Sequence, residues 1–184
     1  MELNILDWFQ TLHTPILDKI MTSITKLGDA GIFWIILTLL FLIIPKMRKT
    51  GIIMAAALIM DLLICNVAVK NLVARTRPYD VNTSVQLLVA KLHDYSFPSG
   101  HTAASFASVT ALYLAGEKKL WKPALVLAVL IAFSRLYLYV HFPSDVICGA
   151  LFGILLAFVS NFLVNKIWEK INERKLSNNS KQND

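Results

Sequence analysis

Apolar residues gather into five long runs along the chain, separated by short polar islands. The first runs from about Asp29 to Pro45 and the second from Gly51 to about Val73. The third runs from Ser99 to near Gly116, the fourth from Trp121 to about Tyr139, and the fifth from about Asp145 to Trp168. Each approaches the roughly 20 residues that a helix needs to cross a hydrocarbon layer. Asp29 stands where an N-cap would open the first run. The residues ahead of it are mixed in character. Ile5, Leu6, Trp8, Phe9 and Leu12 share one face of a short helix, Pro15 interrupts it, and Ile16, Ile20, Met21 and Ile24 resume at helical spacing. The pattern predicts an all-α bundle of five membrane spans, or six if the N-terminal stretch inserts. It divides the chain into an amphipathic membrane-surface segment over 1–28, a spanning domain over 29–169, and a polar cytoplasmic tail over 170–184 that reads as disordered.

Composition sharpens this picture. A length of 184 residues fits one domain, and a hydrophobic fraction of 56% excludes an ordinary soluble one. The net charge of +6 sits mainly between the apolar runs, which is the pattern of membrane topology and not of a nucleic-acid face. Cys65 and Cys148 lie inside apolar runs without metal-ligand spacing and read as buried, inert thiols. Glu2, Asp7 and Asp18 near the start, with no basic segment before an apolar core, argue against a cleaved signal peptide.

Alternation of the spans has a chemical consequence. Spans two and four end on the same side of the membrane, and spans three and five begin there. That side receives Lys70, Arg77, His101, Arg135, His141 and Asp145. The opposite side receives Lys46, Arg48 and Lys49, then Lys118, Lys119 and Lys122, and the basic tail, so the positive-inside rule makes it cytoplasmic. The polar cluster is then expected on the extracytoplasmic face of the plasma membrane.

Ionisable groups beside a hydrocarbon layer are costly and mark function by default. Lys70, Arg77 and Arg135 bring three cations to one anion, the arrangement that phosphoryl transfer needs. Pro98-Ser99-Gly100-His101 opens a span, and backbone N–H groups at a helix start bind anions. Gly100 permits close approach there and Ser99 adds a hydroxyl. His141 can act as a nucleophile, and Asp145 is near enough in sequence to hold one of its ring nitrogens. Snorkelling anchors and an ordinary helix start account for single members of this set, but not for three cations beside two histidines. Asp61 is expected to face the bundle interior, about 13 Å along its helix from Lys70. Gly149 and Gly153 suit close helix packing, and Trp34, Tyr137 and Tyr139 suit interfacial belts or packing. His13 reads as interfacial and His93 as solvent-facing. The connection 79–96, with Val85, Leu87, Leu88, Val89 and Leu92, is apolar enough to lie on the membrane.

Three motifs carry a resemblance. Lys70 precedes Arg77-Pro78 by a Lys-x6-Arg-Pro spacing, Pro98-Ser99-Gly100-His101 follows, and Ser134-Arg135, His141 and Asp145 fit Ser-Arg-x5-His-x3-Asp. In this order they resemble the type 2 phosphatidic acid phosphatase (PAP2) family of membrane lipid phosphatases, over roughly Lys70 to Gly153. The resemblance implies that His141 attacks phosphorus to form a phosphohistidine, that His101 protonates the leaving oxygen, and that Asp145 orients His141. It implies a phosphate site built from Lys70, Arg77, Ser99, Gly100 and Arg135, with no metal and no cofactor. No carboxylate cluster suited to magnesium stands in the sequence either. The implied partners are a lipid phosphate or pyrophosphate and the surrounding lipids. Undecaprenyl pyrophosphate is the favoured substrate, and phosphatidylglycerophosphate or phosphatidate the alternatives. A binding or transport protein without turnover is a rival that the intact His101, His141 and Asp145 argue against. Hydrophobicity excludes a soluble haloperoxidase.

Overall fold

The computed structural model describes residues 1–180, with side chains as far as Arg174. The described residues form helices and connections, with no strand among them. Two short helices come first, α1 (Glu2–Gln10) and α2 (Pro15–Leu27). Pro15 begins α2, because its fixed φ suits the first helical position, and Thr14 Oγ1 accepts a hydrogen bond from the Leu17 N–H at 3.3 Å. A 3-10 turn, Asp29–Gly31, leads into α3 (Ile32–Ile43). α4 (Arg48–Asp61) continues through a π-helical stretch, Leu62–Val69, into α5 (Lys70–Val73). α6 (Pro78–Val81) is a single turn. α7 (Gly100–Leu114), α8 (Trp121–Tyr137) and α9 (Pro143–Ser180) follow.

α7 is the centre of the bundle and packs against α4, α8 and α9. Its buried residues are small or hydroxylated, among them Ala103, Ala104, Ser105, Ala107 and Ser108. Gly149 and Gly153 bring α9 against it as expected. A Cβ on Gly153 would lie 2.2 Å from the Ala103 carbonyl oxygen, and one on Gly149 2.7 Å from that of Ser99. The outward faces are apolar: Ile36, Leu39 and Leu40 on α3, Val126 and Val129 on α8, and Leu151, Leu155 and Phe162 on α9 are all exposed. A shell of this kind is what a protein presents to lipid. Thr50 Oγ1 donates to Glu117 Oε1 at 2.8 Å, which joins the start of α4 to the chain just past α7. At the other end of α7 the Ser99 N–H donates to the Asp145 carbonyl at 3.0 Å.

The expected spans differ in length and apolarity. Among the described residues Pro45–Val81 and Pro143–Arg174 are long and apolar enough to cross a membrane. Pro15–Leu27 and Asp29–Ile43, bent by 43°, together make a third. α8, with 17 residues, stands at the lower limit for a span, and α7, with 15, falls below it. α7 is largely enclosed, and a helix that meets little lipid needs neither full length nor a continuous apolar run.

Three other expectations change, and of the two roles open to Trp34 the structure takes packing. Asp29 does not cap α3; Gly31 holds that position. Trp34 is fully buried and donates from Nε1 to Ser105 Oγ at 2.9 Å. α1 and α2 pack by Leu6, Phe9 and Met21 onto Tyr79 and the segment Tyr137–Val140, where Val85, Leu87, Val89 and Leu92 also pack, so the 79–96 connection turns these residues inward. Finally, α9 runs past Trp168 to Ser180, through the stretch that reads as disordered. No Gly or Pro follows Gly153, and Lys166/Glu169 and Lys170/Glu173 pair opposite charges at i,i+3. The last four residues of the expected tail lie outside the described residues.

Candidate active site

Among the described residues, three other than glycine adopt left-handed backbone: Ala30 (φ 49°), Ala74 (φ 48°) and Tyr139 (φ 60°). Each stands within a few residues of a polar side chain at one end of the bundle. Such conformations are uncommon for residues with a Cβ and concentrate where geometry is constrained by function. Ala74 ends α5, with its N–H on the Lys70 carbonyl at 3.0 Å, and turns the chain toward Arg75 and Arg77. Tyr139 ends α8. The Val140 N–H reaches the Arg135 carbonyl at 3.2 Å and the Tyr139 N–H reaches that of Leu136 at 3.0 Å, the double closure in which glycine usually holds the left-handed position. Burial of the Tyr139 ring and a 2.6 Å hydrogen bond from its hydroxyl to Asp7 Oδ1 offset the strain. The closure points the next residues, Val140 and His141, back across the bundle end.

A cavity of about 480 Å³ opens there. Lys70, Arg77, Asp94, Gly100, His101 and His141 line its polar end, and Ile35, Leu58, Ile59 and Leu62 its apolar end. Arg77 is 2% exposed. Its guanidinium donates to the Val140 carbonyl (2.7 Å), the Asp94 carbonyl (2.8 Å) and Asp94 Oδ1 (2.6 Å), and Nη1 lies 3.4 Å from His141 Nε2. Lys70 Nζ is paired with Asp94 Oδ2. Gly100 allows Asn66 to close in, since a Cβ would lie 2.3 Å from Asn66 Oδ1. Ser99, Arg135 and Asp145 are buried behind this lining. Ser99 Oγ accepts from Thr102 Oγ1 at 3.0 Å. Arg135 holds Thr25 Oγ1 and keeps its Nε–H unpartnered.

His141 is 1% exposed. Burial drives its pKa down, and the charges of Arg135 and Arg77 add to this against the opposing carboxylate of Asp145, so the ring is neutral. Its Nδ1 lies 3.6 Å from Asp145 Oδ2, an ion-pair separation slightly longer than a hydrogen bond. Asp145 is itself fixed. Oδ2 accepts from Ser96 Oγ at 2.5 Å and from the Phe142 N–H at 2.8 Å, the latter a reach-back to the start of α9. Oδ1 accepts from Arg75 Nη1 at 2.6 Å, and Arg75 Nη2 pairs with Glu2 Oε2 at 2.6 Å. A buried neutral imidazole with one nitrogen toward a carboxylate and the other beside a guanidinium can present a lone pair to an electrophile bound on those cations.

His101 opens α7 on the other side of the cavity, with Nε2 2.9 Å from Asp29 Oδ1. Asp61 is 3% exposed, accepts from Asn66 Nδ2 at 3.3 Å and also lines the cavity. His13 stacks on Tyr137 with ring centroids 4.4 Å apart, and His93 is exposed. Among the described residues no group of three His, Cys, Asp or Glu side chains converges as a metal set.

Sequence reasoning brought out the histidines and cations but missed the carboxylates that hold them: Asp94, Asp29 and Glu2, with Ser96 and Arg75 beside them. Asp94 bears directly on the cavity. Burial alone would raise its pKa, but the hydrogen bonds and charges of Lys70 and Arg77 outweigh that and hold it at about 2. It is therefore an anion at every working pH and occupies the two cations that an incoming phosphoryl group would use. Asp94→Asn keeps the shape and removes the charge. Inhibition by orthovanadate is expected to tighten by about tenfold, near 1.4 kcal/mol; weaker inhibition in a dose–response curve would contradict that competition.

Fold and cavity together define an enzyme of the membrane. The chain belongs to the PAP2 superfamily, whose description matches residues 50–169, and it is a phosphoric ester hydrolase acting on lipid phosphates. Over 144 residues it is 35% identical to an undecaprenyl-diphosphatase of Sulfolobus acidocaldarius, covering 78% of this chain and 69% of that one. It superposes on the crystal structure of Aquifex aeolicus LpxE with a TM-score of 0.76, at 29% identity, over 86% of this chain and 93% of the other. A transmembrane PAP2-type phosphatidylglycerolphosphate phosphatase of Bacillus subtilis gives a TM-score of 0.72 at 30% identity, over 90% and 85%.

Proposed function

We propose that the chain converts undecaprenyl pyrophosphate to undecaprenyl phosphate through a phosphohistidine on His141, on the extracytoplasmic face of the plasma membrane. The observation that carries the mechanism is one cavity in which His141 Nε2, Arg77, Lys70 and His101 meet. The terminal phosphate lies on Lys70 and Arg77 at the start of α7, beside the Gly100 backbone, with Ser99 and Arg135 behind. His141 Nε2 forms a bond to phosphorus as the bridging P–O bond breaks. The leaving oxygen takes a proton from His101. A water then attacks the phosphohistidine, gives its proton to His101 and frees phosphate, which returns both rings to their first state. Asp145 stabilises the positive charge that His141 carries while bonded to phosphorus. The apolar end of the cavity at Ile35, Leu58 and Ile59 gives the lipid chain a place beside the headgroup.

The identity to the Sulfolobus relative favours the diphosphate. The likeness to the Bacillus subtilis structure keeps phosphatidylglycerophosphate, and with it phosphatidate, as the second reading. Phosphate release by purified protein from undecaprenyl pyrophosphate, phosphatidylglycerophosphate and phosphatidate separates them, with the first expected to be fastest. Excess EDTA is expected to leave the rate unchanged; strict dependence on added magnesium would overturn the metal-free mechanism.

The face has its own test. Single cysteines placed at Lys46–Lys49 or Lys118–Lys122 are expected to resist an impermeant thiol reagent in intact cells, and one placed within 83–90 to react. The reverse pattern would place the site on the cytoplasmic side.

A further inference from the structure

We propose that Asp29, which lies outside all three motifs, is a positioning residue that orients His101 and retains on it the proton destined for the leaving oxygen. This rests on the reading of His101 as general acid. The contact is direct, at 2.9 Å from Nε2 to Oδ1. The turn that carries Asp29 is shaped around the ring: a Cβ on Gly28 would lie 2.7 Å from His101 Cδ2, so the imidazole rests against bare backbone. Two consecutive left-handed residues follow, Ala30 (φ 49°) and Gly31 (φ 67°). An alanine in that region costs conformational energy that an idle connection between α2 and α3 would not need.

Charge gives the turn its purpose. His101 is 17% exposed at its side chain, and a general acid must carry a proton while it waits. Burial is the main influence against a protonated ring, the charges of Arg135 from α8 and Lys70 from α5 add to it, and the hydrogen bond and charge of Asp29 act in the opposite direction. Arg77, Asp94, His141 and Asp61 line the same cavity, but Asp94 is engaged by Lys70 and Arg77, and Asp61 by Asn66. Asp29 is the carboxylate in hydrogen-bond contact with His101. The site then holds two histidine–carboxylate pairs with opposite tasks. Asp145 faces a histidine kept neutral for attack, and Asp29 faces one that has to carry a proton to donate it. Because the Asp29 side chain is 56% exposed, its replacement leaves the core untouched.

The test uses the full-length protein with Asp29→Asn, Asp29→Ala and Asp29→Glu. With undecaprenyl pyrophosphate, the alkaline limb of the pH–rate profile is expected to move to lower pH in the first two and to return partway in the third. Turnover of phosphatidate, which has a poor alkoxide leaving group, is expected to fall about a hundredfold. Turnover of p-nitrophenyl phosphate, whose leaving group needs no proton, is expected to fall far less, and inhibition by orthovanadate to stay the same. An unmoved alkaline limb, or equal losses on the two leaving groups, overturns the role of Asp29 while leaving the phosphatase reading intact. If the unmodified protein releases phosphate from none of these substrates, that reading falls and the inference falls with it.

Discussion

Replacement of His141 by alanine is expected to reduce phosphate release by a factor on the order of 10⁴ or more, the scale on which covalent nucleophiles matter in hydrolases. The side chain makes no strong hydrogen bond: Nδ1 is 3.6 Å from Asp145, and Nε2 is 3.4 Å from Arg77. Its loss therefore leaves the fold in place, and the variant should keep the melting temperature of the unmodified protein within a few degrees. Orthovanadate, bound mainly by the cations, should still protect it against heat. His101→Ala should behave differently, because it retains the nucleophile. A substrate with a good leaving group should restore much of its turnover and none in His141→Ala. The acid limb of the pH–rate profile is expected well below the ordinary histidine value of about 6.5, since burial and two guanidinium groups keep His141 unprotonated. Asp145→Asn should lower turnover strongly: its one amide oxygen can still accept from Ser96 and the Phe142 N–H, but its NH2 then faces Arg75, which keeps its pair with Glu2. Equal rescue of the two histidine variants would contradict this division of roles.

Arg77→Ala is expected to have the second largest effect, about a thousandfold on kcat/KM, or ~4 kcal/mol. One guanidinium joins the Val140 carbonyl, two atoms of Asp94 and the Tyr95 carbonyl (3.2 Å), and it stands at van der Waals distance from the attacking nitrogen. Its removal takes a charge from the transferring phosphoryl group and leaves buried carbonyls unpaired, each at about 1–3 kcal/mol. Activity and thermal stability should therefore fall together, unlike in His141→Ala. Arg77→Lys supplies the charge without the planar fork and is expected to recover stability only in part and activity little. Wild-type kcat/KM in Arg77→Lys would show that the charge alone matters and that the fork geometry does not.

How much of this was legible beforehand follows from the kind of signal each residue leaves. The helices α3 to α5 and α7 to α9 fall on the five apolar runs because periodic burial is written locally. The three cations, the two histidines and Asp145 were legible from spacing, and alternation alone put them at one end of the bundle. Asp94, Asp29 and Glu2 left no such trace. Asp94 meets Lys70 across 24 positions, Asp29 meets His101 across 72, and Glu2 meets Arg75 across 73. A carboxylate in a connection has no periodicity to betray its partner, and Asp29 was read as a cap because it stands before an apolar run. The signal that would have found them is electrostatic. Buried cations at the end of a dry bundle need anions near them, and few acidic residues lie between the two termini. The short α7 has a different origin. It is largely enclosed by protein, so its small and hydroxylated side chains mark a packing centre.

The central claim is a covalent bond between phosphorus and His141, and trapping that bond tests it most directly. Purified protein would be mixed with undecaprenyl pyrophosphate labelled at the terminal phosphorus, quenched in base within the first turnovers, digested and mapped by mass spectrometry. The account predicts a phosphoryl group on the peptide that contains His141, stable in base, lost in acid and missing from His141→Ala. A label on a serine, or rapid turnover with phosphate never attached to His141, would contradict it.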